Sequence, residues 1–188
     1  MTPISLGDLF RRAIDVLNQE RIPYFVYGDI AVPAWGQVVL AEEADIVVRV
    51  QEADVARILG AFRRAGFFVP EKADTLFFID TWMVASLGGR DVDLALGATE
   101  FDTQALQRAV RVRLYDRDVP IATAEDLILY KLVAFRRKDL AHIEDILIRQ
   151  TGKLDLVYLR DWARRIAEAT GKFEVPATLE KMLAEQGM

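Results

Sequence analysis

Two pairs of acidic residues with alternate spacing are the side chains of this sequence best suited to chemistry. Glu43 and Asp45 stand two residues apart at the start of the apolar run Asp45–Val50, and Asp91 and Asp93 repeat that spacing. Residues i and i+2 of a β-strand lie on one face, so each pair can direct two carboxylates to the same side. Carboxylates on neighbouring strands repel one another unless they share a cation, and two Mg²⁺ ions about 3.5–4 Å apart are the usual solution in phosphoryl-transfer sites. The alternative is a merely solvated acidic strand face.

A short strand followed at once by a helix precedes these pairs. The run Tyr24–Tyr27 is aromatic and β-branched, and Gly28 ends it. The segment Asp29–Trp35 predicts a short helix, in which Pro33 either limits the length or sits in the first turn, and Gly36 closes the C-terminus. The free N–H groups and the dipole at such a helix start form an anion site. The sequence therefore predicts an anion-binding helix start close to cation-binding carboxylates.

The composition excludes several other kinds of site. The chain of 188 residues has no cysteine and a single histidine, His142, which excludes disulfides, thiolate–zinc sites and sites with several histidine ligands. A metal would be bound by carboxylates, which suit Mg²⁺ or Mn²⁺. The net charge of −5 disfavours a generally basic nucleic-acid surface. The apolar runs are far shorter than the ~20 residues that span a bilayer, and Met1–Asp8 lacks secretory-signal features, so we expect a cytoplasmic protein with no membrane partner.

Hydrophobic periodicity predicts the elements that must position these residues. The first part of the chain favours an amphipathic helix over Ser5–Glu20, strands over residues 45–50, 76–79, 83–87 and 91–96, helices over 53–65 and 101–109, and a hairpin over Val110–Ile121 that turns around Asp116–Asp118. The remainder favours helices over 126–137, 140–149 and 156–170, and a tail helix over 177–185 that follows Pro176.

These elements predict an α+β fold: a mixed β-sheet flanked by helices, with a helical C-terminal third. We expect a single domain over residues 1–188, in which 1–122 form the sheet-containing core and 123–188 form a helical extension packed on it. The apolar residues expected to form the core of the helical third recur at helical spacing: Leu127, Leu132, Phe135, Ile143, Leu147, Leu159 and Trp162.

The order of several short motifs resembles the nucleotidyltransferase fold. The stretch Tyr24–Ala31, then Trp35–Gly36, then Glu43–Ile46 is similar to the opening of minimal bacterial nucleotidyltransferases and of AbiEii-type toxins from toxin–antitoxin systems. Val92–Leu94 resembles the strand that carries the third carboxylate of that superfamily, which favours Asp93 over Asp91. The stretch Ala124–Ala134 is similar to a C-terminal helix that carries a lysine. The resemblance covers roughly residues 10–165.

The resemblance implies a role for each matching position. Glu43 and Asp45 would hold Mg²⁺ or Mn²⁺ ions, and Asp93 would complete one metal site and help to activate an acceptor hydroxyl. Gly28 would let the backbone approach the triphosphate. Lys131 would lie near the nucleotide phosphates, and the alternative for this residue is a solvated lysine on a helix surface.

Several positions depart from the pattern of the superfamily. Asp29 stands in the nucleotide-binding helix start where relatives have a second Gly or Ser, and a carboxylate there opposes the phosphate charge unless a metal intervenes or the side chain caps the helix. Glu43 is one methylene longer than the usual Asp, and Val39 and Ala41 replace an Arg and a Thr. His142 stands where relatives often have an Asp, and we expect it to be structural or solvated.

Two functions follow from this resemblance, together with one bland alternative. The first is transfer of an NMP group from an NTP to an acceptor hydroxyl on a protein, an RNA 3′ end or a small molecule, with weakened activity. The second is a catalytically degenerate binding or regulatory module, such as one partner of a toxin–antitoxin pair. Asp29, Val39 and Ala41 favour the second, whereas the three carboxylates favour the first. The bland alternative is a structural protein with solvated acidic strands.

Overall fold

The computed structural model describes residues 4–71, 73, 77 and 81–188, and these form eight α-helices, one 3₁₀ turn and six β-strands. Along the first part of the chain they are α1 (Leu6–Gln19), β1 (Tyr24–Val26), α2 (Gly28–Ala31), a 3₁₀ turn (Val32–Ala34), β2 (Ala44–Val48), α3 (Glu52–Arg64), β3 (Trp82–Leu87), β4 (Arg90–Leu96) and α4 (Glu100–Arg108). They are followed by β5 (Val110–Leu114), β6 (Arg117–Ile121), α5 (Ala124–Ala134), α6 (Arg137–Arg149), α7 (Leu156–Thr170) and α8 (Glu174–Glu185).

The six described strands form one mixed sheet with the order β3-β4-β2-β1-β6-β5. The inner pairs β2–β4 and β1–β6 are parallel, and the pairs β1–β2, β3–β4 and β5–β6 are antiparallel. The predicted α+β fold is therefore confirmed. The strand predicted over residues 76–79 lies, apart from Phe77, outside the described residues.

The chain divides into two compact units. One comprises Met1–Ile30 with Leu40–Ile121 and contains the sheet, and the other comprises Ala31–Val39 with Ala122–Met188 and contains α5–α8. The helical unit resumes at Ala122, whereas the sequence predicts a helical extension from residue 123, and the joining of residues 31–39 to this unit was not foreseen. That the helical extension packs on the sheet core as a single domain stays a prediction.

Helix α1 shows why the first unit folds as its sequence pattern predicts. The Ser5 hydroxyl caps the helix by accepting the Asp8 N–H at 3.0 Å, three residues along the chain. The apolar face of α1 is fully buried through Leu9, Phe10, Ala13, Ile14 and Leu17, and it packs against α3 and the sheet. Burial of this face stabilises the packing of α1 against β4 and β6.

Helix α5 is the central element of the second unit and packs against α6, α7 and α8. Thr123 caps it by accepting the Asp126 N–H at 3.2 Å. The helix ends at Ala134 rather than at the predicted Arg137, because Phe135 adopts a left-handed conformation with φ +56°. Phe135 is also 40% exposed, so its predicted place in the helical core is wrong, whereas the other six predicted core residues are buried.

Residues 31–39 are held to the helical unit by hydrogen bonds at several points. The Trp35 indole N–H donates to the carbonyl of Ala122 at 2.9 Å, and the Gln150 amide donates to the carbonyl of Trp35 at 2.8 Å. The backbone N–H of Gln37 donates to the carboxylate of Asp145. These side chains come from residues far along the chain, so no local pattern could have predicted the attachment.

Several predicted boundaries need correction, among them the hairpin turn and the start of α8. The β5–β6 hairpin turns at Tyr115 and Asp116, which both have positive φ (45° and 62°), as two-residue hairpin turns require, and Asp118 already lies in β6. Helix α8 begins at Glu174 instead of after Pro176, because proline is tolerated within a first helical turn, where its missing N–H costs no hydrogen bond.

Among the described residues, none of the helices combines the length and apolarity needed to span a membrane.

Candidate active site

Three carboxylates meet at one place on the sheet. Asp45 in β2 and Asp93 in β4 are register partners on adjacent parallel strands, and Glu43 lies just before β2. One carboxylate oxygen from each residue lies within 4.8 Å of the others, and all three residues are partly buried. The predicted convergence of these carboxylates is present, and they are not a fully solvated strand face.

The alternation of β4 explains why Asp93 faces this cluster. Val92 and Leu94 are fully buried, so Asp91 and Asp93 occupy the opposite face of the strand. Asp91 is exposed, and its carboxylate accepts a hydrogen bond of 2.6 Å from the hydroxyl of Ser86, its register partner on β3. The preference for Asp93 over Asp91 thus agrees with the position of each side chain.

Gly28 leaves the space that the Asp45 side chain occupies. Its φ is +68°, which disfavours any residue with a side chain. A Cβ atom added to Gly28 would lie 2.7 Å from the Cβ of Asp45 and closer still to its carboxylate. The Tyr27 N–H also donates to the Asp45 carbonyl at 3.1 Å. The junction between β1 and α2 is therefore built around Asp45, and the role of Gly28 towards a triphosphate stays a prediction.

Asp45 and Asp93 resist ionisation within the cluster. Burial raises the pKa of Asp45 to about 7, and the charges of Glu43, Asp93 and Asp29 act in the same direction, while a hydrogen bond from the Asp29 backbone N–H opposes them. Burial, with the charges of Glu43 and Asp91, raises the pKa of Asp93 to about 6. A divalent cation would relieve this repulsion, and a set of carboxylate oxygens fits Mg²⁺ or Mn²⁺.

Comparison with solved structures identifies the fold. No protein-family model matches the chain, and no curated protein matches it. The solution structure of the antibiotic-resistance factor ANT(2″)-Ia superposes with a TM-score of 0.58 and 14% identity, over 87% of this chain and 93% of its own. The crystal structure of ANT(2″)-Ia in complex with adenylyl-2″-tobramycin gives 0.58 at 13% identity, over 86% and 98%. The lincomycin-bound lincosamide antibiotic adenylyltransferase LnuA gives 0.53 at 12% identity, over 77% and 98%.

The protein has the nucleotidyltransferase fold. At these identities the likeness shows the fold alone, and the substrates in those structures belong to those proteins. The narrower resemblance to AbiEii-type toxins stays a prediction. Within the nucleotidyltransferase fold of this chain, Glu43, Asp45 and Asp93 form one carboxylate cluster.

The nucleotidyltransferase-fold protein is expected to be less stable at about pH 8 than at about pH 5 when no metal is present. The folded state holds protons on Asp45 and Asp93 that the unfolded chain, with carboxyl pKa values of 3.8, has released. The stabilisation of the folded state by these bound protons is therefore complete below about pH 4, and it is lost as the pH rises to about 7. For Asp45 the loss amounts to roughly 2–4 kcal/mol.

Denaturant unfolding at the two pH values, with and without Mg²⁺, measures this effect. Asp45→Asn is the control, because His142 and the other titrating groups remain in that variant while the Asp45 carboxyl does not. The wild type should lose more stability than Asp45→Asn when the pH is raised. At the higher pH, Mg²⁺ should restore more stability to the wild type than to Asp45→Asn. An equal pH dependence in the two proteins would show that Asp45 ionises normally.

Lys131 lies in the helical unit of the nucleotidyltransferase fold and is only 2% exposed. Its ammonium group is 3.2 Å from Oδ1 of Asp139 and 3.1 Å from Nδ1 of His142. Because an ammonium group only donates, Nδ1 of His142 accepts, which places the ring proton of the neutral imidazole on Nε2. The solvated-lysine alternative is therefore wrong, and His142 has a structural contact as expected. That Lys131 lies near nucleotide phosphates stays a prediction.

Asp139, which contacts Lys131, is a residue that the sequence interpretation missed. It is fully buried, and it accepts hydrogen bonds of 2.7 and 3.3 Å from the Arg136 guanidinium. Burial acts to raise the pKa of Asp139, but the Arg136 hydrogen bonds and the Lys131 charge outweigh it and hold that pKa below its usual range. The available signal was Lys131 itself, because a lysine within the apolar run Leu127–Ala134 needs a buried partner.

Proposed function

We propose that the protein transfers an NMP group from an NTP to an acceptor hydroxyl, with two Mg²⁺ or Mn²⁺ ions held by Glu43, Asp45 and Asp93. The observation that carries this proposal is the approach of three partly buried carboxylates to within 4.8 Å. The raised pKa values of Asp45 and Asp93 indicate a site that is incomplete without a cation. The nucleotidyltransferase fold adds support, since its solved members above include two adenylyltransferases.

A small molecule is the acceptor class that the structural neighbours favour. The complexes with ANT(2″)-Ia and LnuA contain adenylyl-2″-tobramycin and lincomycin, which are small molecules. The net charge of −5 disfavours a long RNA, because phosphate binding needs basic surface. A protein side chain remains the alternative acceptor.

The residues of this chain would divide the work of the transfer. The acceptor oxygen bonds to the α-phosphorus as the bond to diphosphate breaks, and Asp93 takes the hydroxyl proton. Without a metal, burial and the charges of Glu43 and Asp91 raise the pKa of Asp93 to about 6. A bound cation would lower that pKa, so Asp93 would be ionised at neutral pH and able to accept the hydroxyl proton. The Asp29 backbone N–H orients the Asp45 carboxylate. Bound Mg²⁺ would supply a lowered hydroxyl pKa and stabilisation of charge on the phosphorus oxygens.

Asp29 supports the second candidate, a catalytically degenerate binding or regulatory module. Its charge already acts on Asp45, so it lies near enough to repel a phosphate bound at the same place. At about 4–6 Å and an effective dielectric near 20, the gross repulsion is several kcal/mol per unit charge before screening. An antitoxin or toxin would be the partner of such a module.

Calorimetric titration with each NTP, with and without Mg²⁺, tests the proposal and its alternative. The wild type should bind an NTP weakly and only with Mg²⁺. Asp29→Ser removes the opposing charge and restores the hydroxyl found in relatives, so binding should strengthen at least about tenfold, or about 1.4 kcal/mol.

Asp54→Ser is the matched control, because Asp54 also lies in the first turn of a helix, α3, but outside the cluster. It should leave the NTP affinity unchanged. Tight wild-type binding that Asp29→Ser weakens would contradict the argument and make Asp29 a ligand. Absence of NTP binding in both the wild type and Asp29→Ser would favour the non-catalytic module.

A further inference from the structure

Glu43 differs from Asp45 and Asp93 in the way its backbone is held. Asp45 and Asp93 lie inside the β2–β4 ladder, whose register begins at Ala44 and Val92. Glu43 lies in the bend that precedes β2. Its place in the cluster therefore needs a fixing contact other than the strand ladder.

The guanidinium group of Arg90 makes a contact that serves this purpose. Arg90 is the first residue of β4, and its Nη1 donates to the carbonyl of Glu42 at 3.3 Å, while its Nε donates to the carbonyl of Ile4 at 2.9 Å. The partly buried side chain thus ties the residue before Glu43 to the strand that carries Asp93. A single arginine links the two segments that supply the carboxylates.

The surroundings of Arg90 leave the bend free to shift once that contact is removed. Arg90 and Glu43 line a groove of about 480 Å³, together with Leu40, Glu42 and Asp91. Because a groove and not packed core lies beside the bend, the loss of one hydrogen bond should displace Glu43 without unfolding the sheet.

We propose that Arg90 is a positioning residue, which holds Glu43 in place for the metal ions by fixing the Glu42 carbonyl. This inference rests on the proposed function. The direction of the change in Mg²⁺ affinity distinguishes this role from a purely electrostatic one. Loss of a nearby positive charge alone would strengthen Mg²⁺ binding, whereas loss of positioning weakens it.

Titration of the full chain with Mg²⁺ alone, by calorimetry, tests the inference without any substrate. Arg90→Met should weaken Mg²⁺ binding at least about tenfold. Arg111→Met is the matched control, because Arg111 also donates to a backbone carbonyl, that of Asp118 at 3.1 Å. Arg111 lies on β5, three strands away from β2 in the sheet, and its replacement should leave the Mg²⁺ affinity unchanged.

A double-mutant cycle with Glu43→Gln separates positioning from a general effect on the fold. If Arg90 acts through Glu43, Arg90→Met should change the residual affinity little in the Glu43→Gln background. Arg90→Lys provides a second test if Arg90→Met does not fold, because lysine keeps the charge but cannot reach both carbonyls, and it should also weaken Mg²⁺ binding.

Unchanged or tighter binding in a folded Arg90 variant, or additive effects in the cycle, would overturn the inference and leave the proposed function intact. A wild type that binds Mg²⁺ only together with an NTP calls for the same comparison with the NTP present. A wild type that binds Mg²⁺ neither alone nor with an NTP would instead overturn the proposed function, and this inference with it. Denaturant unfolding of each variant without metal establishes which of them are folded.

Discussion

Replacing Lys131 by methionine is expected to lower the free energy of unfolding by about 3–5 kcal/mol, because removal of one partner leaves a buried charge uncompensated. The Asp139 carboxylate is fully buried and would lose its contact with the Lys131 ammonium group. Arg136 continues to donate to Asp139, so the loss should lie near the lower end of that range. Chemical denaturation of the wild type and the variant measures it.

Two further variants show whether the loss of stability comes from the buried Asp139 carboxylate that no longer contacts a lysine. Asp139→Asn combined with Lys131→Met should recover part of the stability, because the buried group is then neutral. Arg164→Met removes a cation from the exposed pair with Asp161 on α7, 2.8 Å apart, and should cost less than about 1 kcal/mol. Equal losses for Lys131→Met and Arg164→Met would show that burial of the ion pair contributes nothing.

Local patterns were sufficient to predict most of the described elements and the alternation that places the carboxylates on one strand face. The helix caps at Ser5 and Thr123 depend on neighbours three residues away, and so does the spacing that reveals them. The alternation around Asp45 and Asp93 follows from strand geometry alone. Their pairing across β2 and β4 required the fold, which the motif order supplied through the resemblance.

Contacts between distant residues were not predictable in this way. Gly28 meets Asp45 across seventeen positions of sequence, and Lys131 meets Asp139 one helix later, although each residue type was visible in the sequence. The Arg90 contact with the Glu42 carbonyl joins segments that only the sheet topology brings together. A single sequence reveals which groups need a partner, but not which partner the fold provides.

Asp45→Asn is expected to weaken Mg²⁺ binding and Mg²⁺-dependent NMP transfer by at least about 100-fold, since loss of mere outer-shell partners already costs 10–100-fold at metal sites. The same variant should be more stable than the wild type at about pH 8 without metal, because a neutral amide avoids the buried charge and the repulsion that together raise the Asp45 pKa. Opposite signs for metal binding and stability distinguish a functional carboxylate from a structural one.

The interpretation of this variant depends on shape and on a matched control. Asparagine has nearly the size of aspartate, so it fits the space beside Gly28, and a lost function cannot come from a cavity or a clash. Asp91→Asn makes the same change on β4 at an exposed carboxylate that accepts from Ser86, and it should leave Mg²⁺ affinity within about twofold of the wild type. Calorimetry with Mg²⁺ and denaturant unfolding measure both proteins. Equal loss of Mg²⁺ binding in the two variants would mean that the total negative charge of this face binds the cation, and that Asp45 is not a specific ligand.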